Sequence, residues 1–395
     1  MAKLLSVFRV INRSSQKTST HTWKRFQYNR VKRFVGSLQW FHIPISMVFT
    51  YIAFQQFRRY KTKDSQKSIA DENVGSKPTY IASISMYKML PLRTVSRIWG
   101  WINSIELPVI MRSPILTSYV KAFGVNLEEA FIDDLRQYKN LGEFFRRPLK
   151  PGVRPIDTSN GIVSPSDGTI LYFGKATDDT VEEVKGVTYS LPQFLGPQNW
   201  SHKHKTNINN NNKDYRKSLL INNKNQDSEL YHCVIYLAPG DYHRFHSPIE
   251  WQIKYRRHFP GKLLSVRPTV VSWFPNLFNL NERVSYIGKW KYGFFSMTAV
   301  GATNVGSVKV YFDDALATNR MLGRMRQHFN DFKLKKAKHL EKGDPFGEFN
   351  LGSTIVLVFE APKHMKFEIQ SGQKIKYGQL ITRCDEHNHN KSTSK

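Results

Sequence analysis

Residues 347–362 read Gly347-Glu348-Phe349-Asn350-Leu351-Gly352-Ser353-Thr354-Ile355-Val356-Leu357-Val358-Phe359-Glu360-Ala361-Pro362. The apolar run Ile355 to Phe359, bounded by Gly on one side and Pro on the other, is the pattern of a buried strand. Gly352-Ser353 stands where that strand begins. A Gly ahead of a Ser leaves the Gly carbonyl unshielded by any Cβ and tolerates dihedrals that other residues resist. The Ser hydroxyl can therefore attack that carbonyl.

Two upstream stretches supply partners for such an attack. Val163-Ser164-Pro165-Ser166-Asp167-Gly168-Thr169-Ile170 brings a carboxylate, and Tyr236-Leu237-Ala238-Pro239-Gly240-Asp241-Tyr242-His243-Arg244-Phe245-His246-Ser247-Pro248 brings two histidines. An Asp, a His and a Ser on separate loops are the parts of a base-activated nucleophile. Together the three stretches resemble the phosphatidylserine decarboxylase family, pyruvoyl-dependent enzymes that make phosphatidylethanolamine. Supporting matches run in order from about Phe144 to Leu380. They include Phe144-Phe145-Arg146-Arg147-Pro148-Leu149-Lys150, Phe259-Pro260-Gly261-Lys262-Leu263-Leu264-Ser265-Val266, Asn281-Glu282-Arg283-Val284 and Val300-Gly301-Ala302-Thr303-Asn304-Val305-Gly306-Ser307. The Leu-Gly-Ser-Thr form is similar to the mitochondrial branch.

The resemblance implies a processing triad of Asp167, His246 and Ser353. His246, whose side chain titrates near neutrality, would remove the Ser353 proton while Asp167 fixes its tautomer and stabilises the imidazolium. Ser353 would attack the Gly352 carbonyl, and elimination of the resulting ester would leave Gly352 as a new C-terminus. Residue 353 would become an N-terminal pyruvoyl group, the covalent cofactor, in place of pyridoxal phosphate. A large chain ending at Gly352 and a small chain of residues 353–395 would then stay together without a covalent link, with a dimer of such heterodimers possible for the family. For turnover the resemblance implies His243 as the acid that returns a proton to carbon. It places Tyr236 and Ser265 around the phosphate of phosphatidylserine.

The 395 residues carry a formal net charge of +28. No zinc spacing, RNA-binding signature or basic heptad helix accompanies that charge, so a membrane surface is the expected partner and nucleic acid is not. The first 63 residues hold basic side chains from Lys3 to Lys63 and no acid. Residues 1–34, rich in Lys, Arg, Ser and Thr, have the composition of a mitochondrial transit segment. Val35 to Phe57 lacks charge and is long enough to cross a bilayer once, which needs about 20 residues. That reading puts residues 1–34 in the matrix and the catalytic domain in the intermembrane space, tethered to the inner membrane. Residues 58–78 read as a linker and 79–395 as the decarboxylase domain. Cys233 and Cys384 are too few for a disulfide framework and read as buried thiols. His243-Arg244-Phe245-His246 lacks a nearby third ligand, so no metal is expected.

The expected fold class is α+β. Residues 81–141 carry the pattern of amphipathic helices, broken at Pro91, Pro108 and Pro114, with Trp99 and Trp101 suited to a lipid interface. Beyond Pro151 short β-type runs separated by turn residues favour a largely antiparallel sheet. Residues 199–229, with four consecutive Asn, read as a disordered insertion. Two other functions fit parts of the sequence: a tethered serine hydrolase, for which Gly-x-Ser-x-Gly is absent, and a basic lipid-binding anchor without chemistry.

Overall fold

In the computed structural model the run 355–359 lies inside an eight-stranded sheet. The structure describes residues 92–176, 180–184, 187–198, 200, 215–221, 227–271, 276–303, 307–319, 328–350 and 353–384. The expected transit segment (1–34), membrane span (35–57) and linker (58–78), and Gly352 itself, lie outside the described residues. Among those described, no helix is long and apolar enough to cross a membrane.

Three helices come first: α1 (Leu92–Ser104), α2 (Val109–Phe123) and α3 (Leu141–Phe145). Next are β1 (Gly168–Lys175), the hairpin β2 (Thr180–Val184) and β3 (Val187–Ser190), and the short helices α4 (Leu191–Leu195) and α5 (Tyr215–Leu219). The chain continues through β4 (Ser228–Leu237), β5 (Arg244–His246), β6 (Trp251–Phe259), α6 (Pro268–Val271) and α7 (Leu277–Leu280). It proceeds through β7 (Arg283–Trp290), β8 (Gly293–Gly301), β9 (Val308–Val310), β10 (Asn330–Leu340) and β11 (Pro345–Phe349). The last strands are β12 (Ser353–Pro362), β13 (Lys366–Phe367), β14 (Lys374–Ile375) and β15 (Thr382–Arg383). The large sheet has the order β10-β6-β7-β8-β12-β4-β1-β14, and every pairing in it is antiparallel.

β12 is a continuous apolar run because both faces of the sheet are covered at this strand. Ile355, Leu357 and Phe359 face a layer that includes Phe245, Phe346 and Phe349 of the small sheet β5-β11-β9. Val356 and Val358 face Leu191, Phe194 and Leu195 of α4 and Phe278 of α7. β12 is paired on both edges, with β4 along its whole length from Ser353↔Leu237 to Pro362↔Ser228 and with β8 from Ser353↔Gly301 to Phe359↔Phe295.

The antiparallel α+β core is as expected, and three local readings need correction. Pro114 does not break the chain: it sits inside α2, whose start follows Pro108. The lost N–H costs a bond to the preceding turn, but α2 ends against the core, where Tyr119 Oη donates to Pro239 O at 2.7 Å. Nor is α2 segregated into an apolar and a polar face. It buries Leu116 and exposes Val109 and Ile110, the latter to 82%. Finally, residues 215–221 of the stretch read as a disordered insertion are ordered. Leu219 is buried, Tyr215 Oη donates to Gly196 O at 2.6 Å, and Ile221 N donates to Glu360 Oε2 at 2.8 Å.

The position of β12 makes a stability prediction. Leu357→Ala should cost about 2–5 kcal/mol, whereas Lys335→Ala on the exposed edge strand β10 should change stability by less than about 0.5 kcal/mol. Urea denaturation of the two variants should separate them clearly; equal losses would contradict the central place of β12.

Candidate active site

The antiparallel order brings four chain positions to one end of the sheet: the start of β1, the end of β4, the end of β8 and the start of β12. Thr169 pairs with Tyr236 and Tyr236 with Thr354, so Gly168, Leu237, Ser353 and Gly301 form the last row. A Cβ at Gly168 would lie 2.6 Å from Tyr236 O. Glycine there lets β1 begin against β4 and holds Asp167 at the rim. The loop after β4 is pressed onto the end of α2 in the same way, since a Cβ at Gly240 would lie 2.2 Å from Phe123 O.

Ser353 is buried, and its Oγ has no hydrogen-bond partner among the described residues. A buried hydroxyl left unpaired costs about 1–3 kcal/mol, and the hydroxyls of Ser166 and Thr354 at the same end of the sheet share this state. Asp167 is buried and ionised. Arg154 grips it through Nε to Oδ1 at 3.0 Å and Nη2 to Oδ2 at 2.7 Å, and Tyr377 N donates to Oδ1 at 2.8 Å. Burial alone would raise this carboxyl; the Arg154 bonds, the Tyr377 amide and nearby Lys376 outweigh it and hold the pKa below the ordinary value.

His246 sits on β5, with its amide donating to Pro165 O at 2.8 Å. Its Nδ1 is 3.1 Å from Gly343 O. A carbonyl only accepts, so Nδ1 carries the proton and Nε2 the lone pair. That lone pair accepts from Tyr242 Oη at 3.0 Å. His243 follows the same rule: Nδ1 donates to Asp241 O at 2.8 Å, and Nε2, buried, has no partner among the described residues. Burial pushes the His246 pKa down to about 4 and the His243 pKa down to about 3. Both rings are neutral bases at pH 7.

The expected direct relay from Asp167 to His246 is not formed. Gly343 sets the His246 tautomer, and Tyr377 joins the two residues instead. Its amide binds Asp167, its ring stacks on the His246 imidazole at 3.8 Å, and its hydroxyl donates to the same Gly343 O at 2.8 Å. Neither Asp167 nor His246 hydrogen-bonds Ser353; β1 and β12 stand two strand spacings apart, about 10 Å. Tyr236 and Thr354 are cross-strand partners and so lie on the sheet face opposite the Ser353 side chain. Ser265 is on the loop beside that second face, where its Oγ accepts from Arg267 N at 3.5 Å.

A family model for phosphatidylserine decarboxylase matches residues 141–383. The chain belongs to the phosphatidylserine decarboxylase family. It is 46% identical over 339 residues to the mitochondrial phosphatidylserine decarboxylase proenzyme of Cricetulus griseus, an alignment covering 84% of this chain and 81% of that one. The proenzyme of Rattus norvegicus is 44% identical over 374 residues, covering 93% and 90%. Mitochondrial proenzyme 1 of Saccharomyces cerevisiae is 41% identical over 364 residues, covering 75% and 73%. Membership in this decarboxylase family is what the motif resemblance led one to expect.

Several residues of this decarboxylase site are silent in the sequence. Arg154 and Tyr377 are far from each other and from His246 along the chain, and no periodicity links them. Tyr242 directly precedes His243, in a stretch where only the histidines have an evident chemical role. Arg147, buried, donates from Nη2 to Gly240 O at 3.0 Å and holds the histidine loop from beneath. Cys233 and Cys384 are buried thiols and form no disulfide with each other.

The neutral histidines fix the sign of the acid response. An unfolded His titrates near 6.5, so below that pH the unfolded chain binds protons that the folded chain refuses. Their contribution is complete above about pH 6.5 and is lost as pH falls toward 4. The thermal midpoint should drop between pH 7 and pH 5, and His246→Gln should flatten that drop. A midpoint that rises on acidification would contradict the buried neutral pair.

Proposed function

We propose that the chain cuts itself between Gly352 and Ser353 and then decarboxylates phosphatidylserine to phosphatidylethanolamine and carbon dioxide. The observation that carries this reading is Ser353: a buried hydroxyl without a partner among the described residues, on the first residue of a strand paired along both edges. These features fit a residue converted in place. The Ser353 Oγ attacks the Gly352 carbonyl as the Gly352–Ser353 amide breaks, giving an ester. Loss of the Ser353 α-proton and cleavage of the Cβ–Oγ bond release Gly352 as a carboxylate. Water then replaces the nitrogen of residue 353, and ammonia leaves. The resulting pyruvoyl group supplies an electron-withdrawing carbonyl that accepts the electron pair released with carbon dioxide.

His246 is the base for cleavage. Its Nε2 lone pair is occupied by Tyr242 in the resting arrangement, so Tyr242 must release it before His246 takes the Ser353 proton. His243 is the proton carrier in turnover. Its bare Nε2 can take a proton from the substrate ammonium, which must be neutral to react, and return it to the carbon that has lost carbon dioxide. Asp167 acts through Tyr377 on the His246 ring and supplies the negative charge that favours the imidazolium. Tyr236 and Ser265 hold the headgroup phosphate.

The names of the relatives place them in mitochondria, and the acid-free basic N-terminus supports the same address here. Residues 1–34 act as the transit segment and 35–57 as a single inner-membrane span, with the catalytic domain in the intermembrane space. Ile98, Trp101, Val109, Ile110 and Phe123 on α1 and α2 are exposed apolar side chains suited to a bilayer surface that presents the substrate.

Ser353→Ala should remain one chain on a denaturing gel and release no carbon dioxide from phosphatidylserine. His243→Ala should still be cut, yet turn over about 100-fold or more slowly. A cleaved Ser353→Ala chain, or an active one, would overturn the reading.

A further inference from the structure

Three short segments meet around His243, and one carboxylate is shared between them. The end of α3 brings Phe145, whose ring lies on the His243 imidazole with centroids 3.8 Å apart. The end of β11 brings Phe349, whose amide donates to His243 O at 3.0 Å. The start of β5 brings Arg244, the residue after His243, whose Nε donates to Arg146 O at 2.9 Å. Glu348 pairs with both arginines, with Arg146 Nη1 3.2 Å from its Oε1 and Arg244 Nε 3.8 Å from its Oε2. Tyr311 Oη donates to the same Oε2 at 3.1 Å. Strand register fixes this meeting, since Glu348 is the β11 partner of Arg244.

Glu348 is 7% exposed, and among the described residues it is the one acid paired with Arg146 or Arg244. Two guanidiniums this close repel each other, and the carboxylate between them offsets that repulsion. Without it, the end of α3 would move off β5 and take Phe145 away from the His243 ring. The bond from Nδ1 to Asp241 O restrains one edge of the imidazole; Phe145 restrains its face. Glu348 also lies on the upstream arm of the proposed cut, four residues before Gly352. While the chain is whole, that arm runs on covalently into β12. Once it is cut, the arm depends on the ladders of β11 to β5 and β9, on the Asn350 amide bound to Ser307 O at 2.9 Å, and on Glu348.

We propose that Glu348 is a positioning residue for turnover, tying α3, β5 and the cut end of β11 together so that the His243 ring keeps the orientation in which it carries the proton. This deepens the reading of His243 given above and rests on it. Among the described residues Glu348 hydrogen-bonds neither histidine; it acts through Phe145, Arg244 and Phe349. Misplacing a proton carrier slows the step it serves without changing how the substrate is held, so the loss falls on kcat. Cleavage relies on His246, whose Nδ1 is fixed by Gly343 O and whose ring is stacked on Tyr377. It also takes place while the upstream arm is still joined to β12. Cleavage is therefore less sensitive to Glu348 than turnover is.

The test uses processed enzyme, normalised to pyruvoyl content with a carbonyl reagent, and a short-chain phosphatidylserine as dissolved monomers. Glu348→Gln should be cut like the natural chain and then lose about tenfold in kcat, with KM within about twofold. Charge exchange separates pairing from packing. Arg146→Glu and Glu348→Arg should each be slow alone, and the double variant, which again sets one carboxylate against two guanidiniums, should regain most of the loss. A natural kcat in Glu348→Gln overturns the proposal. So does a double variant no faster than either single one, which would make Glu348 a packing residue. A Glu348→Gln chain that is folded but uncut also overturns it, by assigning the carboxylate to cleavage. Should Glu348→Gln be insoluble, Arg146→Gln and Tyr311→Phe, which removes one bond to the carboxylate, carry the same comparison. Natural enzyme without any pyruvoyl, or His243→Ala with a natural kcat, would instead overturn the reading on which the proposal stands.

Discussion

The hydrogen bonding of β12 to a neighbour on each side is the constraint from which the rest follows. Pairing starts at Ser353 itself and continues to Phe359 on the β8 side and Pro362 on the β4 side. A strand held along both edges, with Ile355, Val356, Leu357, Val358 and Phe359 fully buried, does not depend on its upstream peptide bond for its place. Cutting that bond frees a chain end but breaks no ladder. The residues that follow add β14 to the edge of the same sheet and close β13 against β15. This architecture suits a molecule that severs its own backbone at the mouth of its core.

Around that strand the charges are arranged by burial. A carboxylate inside a protein is tolerated when it is paired and fully hydrogen-bonded, and Asp167 has Arg154, the Tyr377 amide and Lys376 for this. Neither His243 nor His246 hydrogen-bonds a carboxylate, and burial outweighs the pull of Asp167 and keeps both neutral. Each also has its Nδ1 proton fixed by a backbone carbonyl, which leaves one lone pair facing inward. Tyr377 ties the two regimes together, binding the carboxylate through its amide and the imidazole through its ring. Two sheet faces meet at this sheet end, with Phe245 of β5 in the layer on the Ser353 side and Tyr236 on the other.

Much of this was legible in the sequence because it is local. The five-residue apolar run named the central strand, and turn residues named most of its neighbours. The missed parts are those fixed by distant contacts. β10 reads as polar because it is the edge strand, with Lys333, Lys335, Lys336 and Lys338 facing solvent, the arrangement that keeps an open edge from pairing with another chain. The helix Tyr215–Leu219 was hidden in a polar stretch because a single buried Leu219 and bonds to Gly196 and Glu360 order it. The link between Asp167 and His246 was expected to be direct, and a Tyr more than a hundred residues downstream provides it. Function was legible through three motifs together; no one of them alone carried it.

The central claim is that a peptide bond is exchanged for a keto group at residue 353, and the intact mass of the purified protein reads this directly. The account predicts two polypeptides, one ending at Gly352 and one comprising residues 353–395 with a pyruvoyl in place of the Ser353 amine. A single uncut chain, or a small chain that begins with an ordinary serine, would contradict it.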